Sequence, residues 1–220
     1  MLDLLYFDTD LAVCIKPAGV LSEGESEGCM PYLLSCALKD RGIGATPFVV
    51  HRLDKETFGI MVFALNSKTA AALSSASQNN DIKKIYHALC VGVIEKDSDV
   101  LEDLLFYDRK RGKSFVVDRE RKGVKGASLE YKVLERFEDS TLLEIELHTG
   151  RTHQIRAQFA SRSHPLCGDR RYGASAEFGN KLCLCAKKLS FTHPKTKERM
   201  SFEMESDVDL FNAIHIKKEI

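Results

Sequence analysis

Apolar residues in this chain fall in short blocks, most of them better suited to strands than to buried helices. Residues 3–7 and 11–16 read as two strands, followed by a turn at Pro17-Ala18-Gly19. Residues 31–39 read as a short helix. Gly42-Ile43-Gly44-Ala45-Thr46-Pro47 reads as a plain turn, because it lacks the third glycine of a dinucleotide loop. The brief apolar run 48–50 leads into a polar loop that closes at Gly59, and the continuous run 60–65 suits a buried strand. Asn66 or Ser67 can cap a helix running to about residue 78, with Ala70, Leu73 and Ala76 on overlapping faces.

Further along, residues 85–91 read as a strand, and 114–117 and 127–137 as strands bracketing a basic loop at 119–125. Residues 141–147 alternate, with Leu143, Ile145 and Leu147 on one face. Gly150 breaks that run, and Thr152 is expected to cap a helix carrying Ile155 and Phe159. Residues 182–191 and 199–204 read as a hairpin around His193-Pro194, and the tail from Asp207 as a short helix. Helices inserted irregularly among many strands favour a mixed α+β fold over a doubly wound parallel sheet. No repeat or linker interrupts the 220 residues, so a single domain spanning 1–220 is expected.

Composition narrows the class. Hydrophobic residues make up 44% and charged residues 29%, as in a soluble globular protein. No apolar run is long enough to cross a bilayer. Residues 1–20 carry Asp3, Asp8 and Asp10 but no basic leader, so a cytoplasmic protein without a secretory signal is expected. Seven cysteines without a CxxC pair fit that compartment, and they read as buried reduced thiols. Cys183, Cys185 and His193 lack a fourth partner for zinc, so no metal is expected.

The formal net charge is zero, but its distribution is uneven. Residues 1–30 hold six acids and one base, residues 107–127 eight bases against three acids, and residues 149–173 five arginines against one acid. A phosphate backbone needs a local basic surface rather than a basic total. Solvated loops would look the same, so charge alone does not choose.

Three segments put polar chemistry beside apolar strands. In His51-Arg52-Leu53-Asp54 a carboxylate lies between Arg52 and Lys55, and nearby cations favour its ionised form. Such a group can serve as nucleophile, base or loop salt bridge. In Thr149-Gly150-Arg151-Thr152-His153-Gln154-Ile155-Arg156 an arginine stands at a strand-to-helix junction, where it can reach an acid or a phosphate, or simply decorate a helix end. In Lys84-Ile85-Tyr86-His87-Ala88 a strand tyrosine offers a phenol and a stacking face, or only packing.

Taken jointly, these segments resemble the RluA-type family of RNA pseudouridine synthases. The likeness rests on His51-Arg52-Leu53-Asp54 with Thr57 and Gly59, on Tyr86 with Ala88 and Gly92, and on the 149–156 segment. It continues through His164-Pro165-Leu166-Cys167-Gly168-Asp169 with Tyr172-Gly173, and reaches Lys16-Pro17-Ala18-Gly19 and Leu189-Ser190-Phe191-Thr192-His193-Pro194. The resemblance implies a mixed, largely antiparallel sheet split by a central catalytic cleft and flanked by helices and loops. It also implies an RNA substrate, ribosomal or transfer RNA, and neither metal nor organic cofactor. A monomer that does not engage membranes is expected.

By the same resemblance Asp54 matches the catalytic aspartate, Tyr86 the active-site tyrosine and Arg151 the arginine that pairs with the aspartate. Arg52 matches the loop arginine that lies beside the target nucleotide. His51, Thr152, His153, Gln154, Arg156 and Leu184 are the further candidates for substrate binding. Arg119, Arg121, Lys122 and Lys125 are the candidates for phosphate contact. Phe58 stands where the family usually has serine, and Cys185 where it often has histidine. The early catalytic motifs leave no room for an N-terminal domain of the S4 type, so the chain resembles the short forms. A catalytically silent RNA-binding protein should lack the aspartate. A glycoside hydrolase would need a second acid such as Glu56.

Overall fold

The computed structural model describes residues 2–204. In chain order they form β1 (Leu4–Phe7), β2 (Leu11–Lys16), α1 (Met30–Lys39), β3 (Phe48–Val49), β4 (Phe58–Ala64) and α2 (Ser67–Gln78). Then follow β5 (Lys83–Val91), β6 (Ser98–Asp108), β7 (Lys113–Val117), β8 (Val124–Arg136) and β9 (Ser140–Leu147). The last elements are α3 (Gln154–Ala160), β10 (Leu184–Thr192) and β11 (Arg199–Glu203). The class is α+β, and the pairs β1–β2, β2–β4, β3–β4, β5–β9, β6–β7, β6–β8, β8–β9 and β10–β11 are antiparallel. The expected helix from Asp207 lies outside the described residues.

The described chain divides into two compact units, residues 2–84 with 186–204 and residues 85–185. In the first, the strand order is β1-β2-β4-β10, with β3 also beside β4 and β11 beside β10. Leu11, Val13, Ile60, Val62, Leu73, Leu189 and Phe191 form its buried core. From α2, Leu73 is fully buried in that core and Ala70 and Ala76 pack against it; fully burying a leucine stabilises by roughly 1.5–3 kcal/mol. The Asn66 side chain accepts the Thr69 N–H at 2.9 Å and so caps α2 as its sequence predicts.

In the second unit the order is β5-β9-β8-β6-β7. Leu105, Ala127, Ala157 and Tyr172 pack together beneath α3. Strand β6 was not foreseen. Its best-buried residues, Leu101 and Leu105, lie four apart and are separated by acids, a spacing that does not advertise a strand. The expected cap of α3 is also corrected. His153, in the left-handed conformation at φ 53°, is the cap residue and makes no side-chain cap bond. Thr152 instead offers its carbonyl to the Ser114 hydroxyl at 2.5 Å. Of the seven thiols, Cys36 is exposed and the other six are buried.

Candidate active site

In the first unit, the loop that carries Asp54 is built by residues far from it in sequence. β2 pairs with β4 so that Lys16 lies opposite Gly59. Lys16 is fully buried, and its ammonium donates to the carbonyls of Pro17 at 2.8 Å, Val20 at 2.7 Å and Lys55 at 2.9 Å. Burial lowers its pKa to about 8, against the pull of Glu56 and Asp54, whose charges favour the ammonium. Gly59 is obligatory: at φ +125° a Cβ would lie 2.4 Å from the Ala186 carbonyl oxygen.

The other side of the loop is fixed by Ser22. Its buried hydroxyl donates to the Leu53 carbonyl at 2.7 Å and accepts the Leu53 N–H at 3.0 Å. The Asp54 carbonyl accepts the Thr57 N–H at 3.1 Å, closing a turn directly after a half-buried carboxylate. His51 extends the short β3–β4 ladder, since its Nε2 accepts the Val62 N–H at 3.1 Å. The ring proton must then sit on Nδ1. Burial, with Lys84 nearby, drives the His51 pKa down to about 3, so the ring is neutral at ordinary pH. Arg52 points outward and pairs with Glu23.

Lys84 itself is half-buried on β5, and desolvation lowers its pKa. In the second unit Tyr86 is 6% exposed, opposite Ile145 in the β5–β9 ladder, so its ring is held by the strand rather than by a loop.

The segment after β9 folds around one amide. The Gln154 Oε1 accepts the Thr149 hydroxyl at 2.7 Å and the Arg151 N–H at 3.1 Å, while its Nε2 donates to the Ser128 carbonyl at 3.1 Å. The backbone of 148–154 is thus fixed, and the Arg151 side chain stays exposed, with its Nε donating to the Gly126 carbonyl at 2.8 Å. The His153 ring lies edge-on to Tyr107 and Tyr172, and its Nδ1 is 3.1 Å from the Tyr172 hydroxyl. Arg156 faces inward. It is 7% exposed, grips Asp169 through two bonds of 2.7 and 2.9 Å, and lies over the Tyr172 ring. Leu184 is buried at the start of β10.

Arg119, Arg121, Lys122 and Lys125 are all exposed, and the Arg121 guanidinium lies 4.6 Å from the Phe106 ring centre. The β6–β7 turn adds Arg109, Lys110 and Arg111, also exposed. A cavity of about 330 Å³ elsewhere in this unit is bordered by Tyr131, Phe159, Arg162 and His164 and holds none of the candidate residues.

Reasoning on the sequence did not single out Ser22, Glu23 or the bracing role of Gln154. Lys16 was visible only as part of the Lys16-Pro17-Ala18-Gly19 resemblance, with no role attached. Of the residues a zinc site would draw on, burial pushes the Cys183 thiol up to about 12. His193 takes the Lys195 and Thr196 N–H groups on Nδ1 and faces the Asp8 carboxylate at 2.9 Å through Nε2.

Comparison with known proteins gives a consistent picture. Residues 10–161 match the family model described as RNA pseudouridylate synthase. An uncharacterized RNA pseudouridine synthase of Aquifex aeolicus is 38% identical across 97% of this chain and 72% of the relative. The ribosomal large subunit pseudouridine synthase D of Neisseria meningitidis serogroup A is 33% identical across 98% of this chain and 61% of the relative. Among solved structures, human RNA Pseudouridylate Synthase Domain Containing 4 has a TM-score of 0.75 at 24% identity, covering 96% of this chain and 92% of that one. Human RNA Pseudouridylate Synthase Domain Containing 1 has a TM-score of 0.76 at 21% identity, covering 94% and 84%. These two show a shared fold.

Proposed function

The chain belongs to the RNA pseudouridylate synthase family, and from that premise we propose that it converts particular uridines of structured RNA to pseudouridine with Asp54 as the catalytic carboxylate. The reaction is an isomerisation: the N1–C1′ bond breaks, the uracil turns, C5 bonds to C1′, the C5 proton leaves and N1 gains one. No atoms are lost overall, and no co-reactant is needed. The uracil must leave its stack to be turned, so base flipping is part of the proposal.

The observation that supports Asp54 most is its setting. A half-buried carboxylate follows a backbone pinned by Ser22, in a loop strapped by the buried Lys16 ammonium, whose charge interacts with it. Attack at C1′, addition at C6 and removal of the C2′ proton all require the ionised form, and a neighbouring cation favours that form. Tyr86 and Arg151 complete the proposed set. Tyr86 stacks on the uracil and takes the C5 proton; Arg151 favours the ionised carboxylate.

Arg52 is assigned to the target nucleotide. Arg119, Arg121, Lys122 and Lys125 are assigned to RNA phosphates, in keeping with their exposure. His51, Gln154 and Arg156 hold internal bonds, so we assign them to shaping the binding segments. Thr152, His153 and Leu184 are assigned to the margin of the bound nucleotide. Large-subunit ribosomal RNA is the first substrate to test, by analogy with the Neisseria relative, and transfer RNA the second. Mapping pseudouridine in both RNAs from cells with and without the gene tests the proposal. Loss of one or a few sites in the deletion strain is expected, and an unchanged map in both RNAs would refute it.

A further inference from the structure

The Arg52–Glu23 pair has a consequence for RNA selection. Glu23 lies in the acidic stretch Ser22-Glu23-Gly24-Glu25-Ser26-Glu27, which is ordered by its own bonds. Met30 N–H reaches the Leu21 carbonyl at 2.9 Å, Cys29 N–H reaches Ser26 at 3.1 Å, and the Cys29 thiol reaches the Gly24 carbonyl at 3.0 Å. Ser22, the neighbour of Glu23, is locked in both directions to Leu53, the neighbour of Arg52. The buried Ser22 hydroxyl, bonded twice to the Leu53 backbone, therefore sets the carboxylate opposite the guanidinium. Both side chains remain just over half exposed, at 55% and 56%.

An ion pair so exposed adds little to folding. Its position matters more, because Arg52 is two residues from Asp54. A carboxylate and a phosphodiester offer a guanidinium the same pair of anionic oxygens. We propose that Glu23 is an internal substitute for RNA phosphate on Arg52, which RNA must displace before the catalytic loop engages its target. This rests on the function proposed above and extends it to RNA selection. A strand that brings only phosphates trades one anion for another at Arg52 and gains little. An RNA that also supplies the correct flipped uridine and flanking contacts makes the exchange favourable. Glu23 thus raises the threshold for non-cognate RNA and leaves the chemical step alone.

The test uses the full chain with Glu23→Gln, Glu25→Gln, Arg52→Gln and the Glu23→Gln/Arg52→Gln double variant. The probes are a polyuridylate 20-mer for binding and a large-subunit ribosomal RNA transcript tritiated at uridine C5 for turnover. Glu23→Gln should tighten polyuridylate binding by about two- to fivefold, the scale of one exposed charge pair relieved. It should steepen the salt dependence of that binding by roughly 0.7 in log–log slope, one extra phosphate contact on a single strand. KM for the transcript should fall with kcat unchanged. Glu25→Gln should shift affinity less than twofold, and Glu23→Gln should add nothing once Arg52 is Gln. Equal effects of the Glu23 and Glu25 changes, or a Glu23 effect that persists without Arg52, would overturn the proposal by reducing it to bulk charge. A wild-type chain that releases no tritium from any RNA would sink the proposed function instead, and the binding measurements would still decide whether Glu23 masks Arg52.

Discussion

The Asp54 loop and the Arg151 segment solve the same problem in different ways. The first is held from a distance: Lys16 and Ser22, more than 30 residues earlier, supply the bonds that fix residues 53–55. The second is held by its own glutamine and by the adjacent strand: Gln154 binds Thr149 and Arg151, while Ser128 bonds His148, Thr149 and Gln154. One carries a half-buried acid whose charge acts on the buried Lys16 ammonium, the other an exposed arginine. The proposed chemistry uses a charged carboxylate, and tertiary structure brings the Lys16 cation to its loop. An outward arginine needs only a rigid backbone. The acid should therefore be the more sensitive of the two to change.

The largest expected effect is at Asp54. Asp54→Asn keeps the shape and removes the charge, so activity should fall more than about a hundredfold, the scale of losing a catalytic base or nucleophile, with the melting temperature nearly unchanged. Arg151→Met should come next. Losing the cation should cost about a hundredfold, the low end of the range for one stabilising donor. The acid limb of the pH–rate profile should move to higher pH, and an exposed side chain should leave stability intact. A normal profile at normal rate would make the two segments unequal in kind rather than degree.

Lys16 separates stability from activity. Its folded pKa of about 8 lies below the value of 10.5 for an unperturbed lysine. Between those values the unfolded chain holds more protons, so the contribution of this group to stability rises with pH and is lost as pH falls through about 8. Activity should move the other way, declining above about pH 8 as the charge near Asp54 disappears. Parallel denaturation and rate profiles check this. Lys16→Met should also destabilise by about 1–3 kcal/mol, because three carbonyls lose their donor.

The smallest effect belongs to the basic loop. Replacing Arg119, Arg121, Lys122 and Lys125 by Gln should raise KM severalfold, leave kcat unchanged, and flatten the salt dependence of RNA binding by up to about 3 in log–log slope. An unchanged slope would show that this loop does not meet RNA.

Much of this was legible in the sequence, and the exceptions share a cause. β2, α2 with its Asn66 cap, β9 and the β10–β11 hairpin follow from local pattern and capping chemistry. The residues of the 51–59 and 149–156 segments were visible as motifs. What holds them was not. Ser22 and Leu53 are 31 positions apart, and no periodicity links them. Arg156 reads as surface charge on a helix until Asp169, 13 residues later, turns back beneath it. The Thr152 cap fails because local propensity places a helix start where His153 takes a left-handed conformation beside Tyr172. β6 was missed because its buried leucines mimic helical spacing.

The most direct measurement of the central claim is the pseudouridine content of ribosomal and transfer RNA transcripts treated with purified wild-type and Asp54→Asn protein, resolved by nuclease digestion and mass spectrometry. The account predicts stoichiometric conversion of one or a few uridines by the wild type. It predicts less than about one per cent of that rate for the variant, as loss of the catalytic carboxylate requires. Conversion by Asp54→Asn at a rate close to wild type would contradict it.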